Sequence, residues 1–372
     1  MTPLLKSPDI FCHEDYAGSM HAIRSATEKG TVSILFVEAV LDSLREKGVD
    51  GRPVLERSGI APALLSLPEA RVTAAHYTAL LRETARVLDD EFFGQDSRRM
   101  KIGSFAMLCH TVVHCRRLDE AVRRTLDFFN LLLDDLHGAL EIDGTAARLV
   151  VSERHPERPA RILGQEALLM FTHKLACWLV NRRIPIREAA FRFPEPAQGR
   201  EYALMFCPSL RFGQAKTVLT FDPGMFQLPV VRGEGSLKEF LRQAPENLLV
   251  QYKDSQSQAA RIQRRLRHLP PAEWPSLEVM AAELNCSLST LRRRLEAEGQ
   301  SYQLIKDRLR RDMAINLLAD AGRSITGIAL ELGFAEPSAF HRAFKKWTGA
   351  RPGEYRLDYA PASLAARGDS VR

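Results

Sequence analysis

Arg292, Arg293 and Arg342 are the residues of this chain best suited to reading a flat, hydrogen-bonding surface. A guanidinium presents five N–H donors in a planar fork, which matches paired acceptors on a guanine edge or a phosphate. Each arginine sits in a short two-faced segment. In "EPSAFHRAFKKWTG" (336–349), Phe340, Phe344 and Trp347 share one helix face at i, i+4 and i+7. At 100° per residue, Ser338, Arg342 and Lys345 lie opposite that face, with His341 at its flank. In "SLSTLRRRLEAEG" (287–299), Leu288, Leu291 and Leu295 form the apolar face, and Ser289, Arg292, Arg293 and Glu296 project the other way.

A basic face is useful only if a second element holds it outward. Ile325, Ile328, Ala329 and Leu332 have the spacing of a short helix preceding Arg342. Gly333 supplies the positive φ that stops this helix, and Pro337 suits the first turn of the next, where a missing N–H costs nothing. A short helix, a tight turn and a second helix with a basic outer face make a helix-turn-helix pattern. The same plan occurs 48 residues earlier: Ala281-Ala282-Glu283-Leu284-Asn285 matches Ala329-Leu330-Glu331-Leu332-Gly333 in position and type. There the turn falls at Asn285-Cys286 and Ser287 is the N-cap. Between the copies, residues 302–318 read as one helix about 25 Å long. Such a strut would set the two outer helices near the roughly 34 Å spacing of successive major grooves.

The block from about Pro275 to Tyr355 resembles the DNA-binding domain of AraC/XylS-type transcription regulators, on "SLSTLRRRL", "DMAINLLAD", "SITGIALELGF", "EPSAFHRAFKKWTG" and "RPGEYR". The resemblance implies base contacts by Ser289, Arg292 and Arg293 in the first unit and by Ser338, His341 and Arg342 in the second. These coincide with the outward faces read from periodicity. Lys345, Lys346, Arg308 and Arg310 are expected on phosphates, where they would set register and salt dependence. The first 250 residues are similar to the N-terminal domain of the arabinose-binding-domain-like branch, which includes ornithine-utilisation regulators. "VLERSGIAPALLSLPEARVT", "GSFAMLCHTVVHCRRLDEAVRR" and "CPSLRFGQAKTVLTFDP" carry that similarity. It implies effector sensing and dimerisation, the effector and its contact residues being unknown.

Charge agrees with this division. Residues 258–358 hold 17 Lys+Arg against 12 Asp+Glu, whereas residues 1–257 hold 33 of each. A basic C-terminal quarter is the footprint of a nucleic-acid-binding module. Ahead of it, helical patterns near 32–44, 53–58, 73–88, 104–113 and 118–134 lead to a hairpin at 139–143 and 147–152. A helix at 161–181 and strands at 187–193, 210–212 and 217–221 follow. The expected fold class is an α+β sensor domain, a helical layer plus a small mixed sheet, followed by an all-α domain of two helix-turn-helix units joined by a long helix. Its expected parts are a loose arm (1–30), the sensing and dimerisation domain (31–250), a linker region marked by Pro270-Pro271 and Pro275 (251–275), the DNA-binding domain (276–358) and a tail (359–372).

Other chemistry is weaker. "LCHTVVHC" gathers Cys109, His110, His114 and Cys115, but on a helix the two cysteines cannot both join the histidines' face, and core packing is the expected reading. Phe128, Phe129 and Leu131-Leu132-Leu133 read as core before they read as a pocket. Arg116, Arg117, Arg123 and Arg124 read as a solvated face before an anion site. GxSxG, GxxxxGK[ST] and HExxH are all absent, so no enzyme, cofactor or metal is expected. A repair alkyltransferase on the same DNA-binding scaffold would need a zinc-bound cysteine set or a reactive cysteine motif; a non-specific nucleoid protein would lack operator preference. The six scattered cysteines and the lack of a leader pattern or a long apolar run suggest a cytoplasmic protein free of membranes. Its expected partners are double-stranded operator DNA, a small-molecule effector, a second copy of the chain and RNA polymerase; activation and repression both remain open.

Overall fold

A computed structural model describes residues 30–359 apart from 156, 158–160, 198, 246–247, 249–257, 299 and 321. The expected N-terminal arm and C-terminal tail lie almost wholly outside these residues. In chain order, β1 (Thr31–Ser33) leads directly into α1 (Ile34–Glu46), then come α2 (Arg52–Arg57) and a 3-10 turn (Pro62–Ser66). β2 (Arg71–Thr73) leads directly into α3 (Ala74–Leu88), followed by α4 (Ser104–Val112) and α5 (Leu118–Leu132). Next are β3 (Leu136–Ile142), β4 (Ala147–Glu153), α6 (Ile162–Leu179), β5 (Ile186–Ala190), α7 (Gly199–Met205), β6 (Leu210–Arg211), β7 (Thr217–Phe221) and α8 (Glu234–Arg242). The C-terminal helices are α9 (Gln258–Arg267), α10 (Leu277–Glu283), α11 (Leu288–Ala297), α12 (Tyr302–Leu318), α13 (Ile325–Glu331), α14 (Pro337–Thr348) and α15 (Pro352–Tyr359).

The chain divides into two compact units. Among the described residues, one takes in 39–51 and 80–248, and the other takes in 30–38, 52–79 and 258–359. The first is built on a mixed five-stranded sheet in the order β3-β4-β7-β5-β6, with only β5 and β6 parallel. Helix α5 lies close on β3 because Gly138 has no side chain: a Cβ there would stand 2.7 Å from Leu126 Cδ2. Asn130 fixes the approach by donating to Gly138 O at 2.8 Å and accepting from Gly138 N at 2.7 Å. Helix α6 is buried along nearly its whole length, as a helix apolar all round must be. Its Phe171 meets the rings of Phe92, Phe93, Phe105 and Phe129.

In the second unit four helices open in the same way. Ser276, Ser287, Ser301 and Ser324 stand just before α10, α11, α12 and α13, and each side chain accepts a bond from the backbone N–H three residues on. These caps satisfy donors that a helix start leaves open. Helix α14 instead starts with Pro337, which has no N–H to satisfy.

Two features differ from the sequence expectation. The stretch 258–275 does not behave as a linker: Ala259, Ile262 and Leu266 of α9 pack into one cluster with Trp274, Leu291, Leu295, Ile305 and Leu309. Glu298 caps α9, accepting from Gln258 N at 2.8 Å and Ala259 N at 3.0 Å. Trp274 Nε1 donates to Leu266 O at 2.8 Å, so the proline-rich turn folds back onto the helix. The second difference is that β1, β2 and the α2 region pack in the same unit as the C-terminal helices.

Candidate nucleic-acid interface

Leu291 and Leu295 anchor one face of α11 in the core, while Ser289, Arg292 and Arg293 are exposed on the other. Helix α14 repeats the arrangement with Phe340 and Phe344 fully buried and Ser338, Arg342, Lys345 and Lys346 exposed. His341 is half-buried beside the Phe340 ring, and Trp347, on the apolar face, is half-buried against Phe334. The two turns share a backbone conformation: φ is +53° at Asn285 and +75° at Gly333. Only the second turn is crowded, since a Cβ on Gly333 would stand 2.9 Å from Ala272 N and 3.0 Å from Pro271 C.

The 17-residue α12 joins the two helix-turn-helix units, both within the second compact unit. Its basic residues are engaged with the protein. Arg308 Nη1 donates to Gln300 Oε1 at 2.9 Å. Arg310 is turned inward: its Nε donates to Leu332 O at 3.1 Å, and its guanidinium lies 5.1 Å from the Trp274 ring centre and 5.5 Å from that of Phe334. Trp274 packs with the first unit and Phe334 with the second, so one cation spans both. That bridging position is not the open phosphate-facing one expected from sequence.

A profile of the arabinose-binding domain of AraC transcription regulators, N-terminal, matches residues 48–230, and a helix-turn-helix domain profile matches residues 280–358. The ornithine utilization regulator of Pseudomonas aeruginosa is 28% identical over 326 residues, 87% of this chain and 96% of that protein. The regulator VirS of Mycobacterium tuberculosis is 27% identical over 324 residues, 85% of this chain and 93% of its own length. The chain belongs to the AraC-type transcription regulators. Its N-terminal part is the family's ligand-binding domain, and its C-terminal part is the helix-turn-helix domain that binds DNA.

In this AraC-type regulator the "LCHTVVHC" segment splits between two faces. Cys109 and Cys115 are buried, whereas His110 Nδ1 and His114 Nε2 point outward to one oxygen of Glu234, at 3.3 and 3.0 Å. Among the described residues no group of three His, Cys, Asp or Glu is arranged to hold a metal ion. Phe129 is part of the aromatic core and Leu131 is exposed. Arg117 and Arg124 pair with Asp119 and Glu120, and Arg123 donates to Leu140 O at 2.9 Å.

Sequence reasoning passed over the charged groups buried along α6. Glu166 accepts a bond from the Tyr202 hydroxyl, and burial pushes its carboxyl up to about 8. Burial likewise pulls the Lys174 ammonium down to about 8. The signal was available: charged residues inside a run too apolar to have a wet face, "GQEALLMFTHKLACWL".

Proposed function

We propose that this regulator reads its operator with α11 and α14 in successive major grooves, Ser289, Arg292 and Arg293 touching bases in one and Ser338, His341 and Arg342 in the other. Arginine to guanine is the first expected pairing. Lys345 and Lys346 contact phosphates, and Arg308 adds charge near them. Arg310 acts mainly by holding the two units together. The observation that carries this reading is a repeated one: on both helices a buried apolar stripe turns an exposed row of serine and arginine outward, at the two ends of one long helix. The functional boundaries proposed are a sensing domain carried chiefly by 39–51 and 80–248 and a DNA-binding domain whose core begins with α9, with 30–38 and 52–79 packed in the unit of the latter.

The N-terminal domain binds a small-molecule effector and a second copy of the chain, the regulator works in contact with RNA polymerase, and the protein has no enzymatic activity of its own. These points rest on family resemblance. A cytoplasmic location is proposed on the same resemblance; among the described residues no helix is long and apolar enough to cross a membrane. The fragment 258–358 tests the DNA-binding reading: folded, it should bind duplex DNA with affinity that falls steeply as salt rises. A folded fragment that binds no DNA at all would remove the assignment.

A further inference from the structure

The strand pair β1–β2 packs in the same unit as the C-terminal helices and is hydrogen-bonded to α12 and α15. Its register is antiparallel, with Thr31 opposite Thr73, Val32 opposite Val72 and Ser33 opposite Arg71. Thr31 Oγ1 donates to Asp312 Oδ1 of α12 at 2.7 Å and accepts from Arg71 Nε at 2.7 Å, while Arg71 Nη2 donates to Thr31 O at 2.8 Å. From α15, the Tyr355 hydroxyl accepts from Arg71 N at 3.0 Å and donates to Arg71 O, satisfying both backbone groups of one strand residue. Arg71 and Tyr355 are buried, and Gly30 fits so closely that a Cβ would stand 3.2 Å from Asp312 Oδ2.

The two strands are also the starting points of two long helices. β1 continues without a break into α1 and β2 into α3, and both helices run on into the unit that holds the sheet. Each strand is therefore covalently continuous with one of these helices and hydrogen-bonded, directly or through its partner strand, to α12 and α15. Helix α12 in turn joins the two helix-turn-helix units.

We propose that β1–β2 is the coupling element of this regulator, with Thr31, Arg71, Asp312 and Tyr355 as its positioning residues. The proposal rests on the reading of the chain as a ligand-binding domain joined to a DNA-binding domain. It does not depend on knowing the effector, because coupling between two sites is reciprocal: if the sensor acts on DNA affinity through these strands, bound DNA acts on the strands.

The test is hydrogen exchange in the full chain, with and without a duplex selected by the protein from a random pool. In the wild type, bound DNA should slow exchange at residues 31–33 and 70–73 by about fivefold or more, the lower end of ordinary coupling. Thr31→Val removes both bonds of one half-exposed hydroxyl with little change of shape, and Asp312→Ala removes its acceptor. Each variant should bind the same duplex within about twofold and keep DNA-dependent protection of α14, yet lose the slowing at the strands. Strands that respond equally in the variants, or that do not respond in a wild type with bound DNA, overturn the proposal. A wild type that binds no duplex contradicts instead the DNA-binding reading beneath it.

Discussion

The two helix-turn-helix units solve one backbone problem with different residues. Both turns need a residue at positive φ; the first uses Asn285 and the second Gly333. Asparagine tolerates this conformation better than most residues, so an exposed turn can accept it. Gly333 has a second constraint, the backbone of Pro271 and Ala272 pressed against the position a side chain would occupy. The packing differs as well: Leu291 and Leu295 anchor α11, whereas the rings of Phe340 and Phe344 anchor α14 and Tyr355 closes against Phe344. Matching outward faces thus rest on unlike interiors. The repeat is one of outward face and backbone, with the core of each copy filled according to what lies behind it.

The sharpest way to break this comparison is at the turns. Gly333→Ala combines a left-handed backbone penalty with a clash against main-chain atoms, and should cost about 3 kcal/mol or more. Asn285→Ala meets only the backbone term and should cost about 1 kcal/mol. Thermal unfolding of both variants decides; equal losses would mean the close approach of Pro271 and Ala272 does not matter. Next in size is Arg310→Ala, which removes a hydrogen bond to Leu332 O and a cation shared by rings of both units, for about 2 kcal/mol of stability. If Arg310 instead faced phosphate, the variant would keep its melting temperature and lose DNA affinity uniformly.

Much of the repeat was legible in the sequence because it is local. Periodicity placed Phe340 and Phe344 inside and Arg342 and Lys345 outside, and Ser287 announced the start of α11. The sheet was legible too, since Asp143-Gly144 breaks two alternating runs. What escaped lacks a local signature. Strands of three residues, such as Thr31–Ser33 and Arg71–Thr73, are too short to show alternation. The bond from Arg71 to Tyr355 joins residues 284 apart, and nothing near either position foretells it. Pro270-Pro271 suggested a linker because proline interrupts helices, but a turn that returns Trp274 to Leu266 O uses the same residues. Arg310 was expected on phosphate because its inward turn depends on Trp274 and Phe334, which periodicity alone cannot bring together.

Smaller effects sharpen the outward faces. Arg342→Ala and Arg292→Ala should each cost about 1–3 kcal/mol at the true site and relax preference at one position only. Lys345→Ala removes a flexible point charge, so specific and random DNA should weaken alike and the salt slope should fall by about one. None of these three side chains supports the core, so the melting temperature should stay near that of the wild type.

The measurement closest to the central claim is a base-by-base substitution scan of the selected operator, titrated at one salt concentration with the wild type, Arg292→Ala and Arg342→Ala. Two groups of preferred bases should appear about one helical turn apart, with Arg292→Ala flattening one and Arg342→Ala the other. A single group of preferred bases, or uniform losses across every base variant for both substitutions, would contradict two-groove reading by α11 and α14.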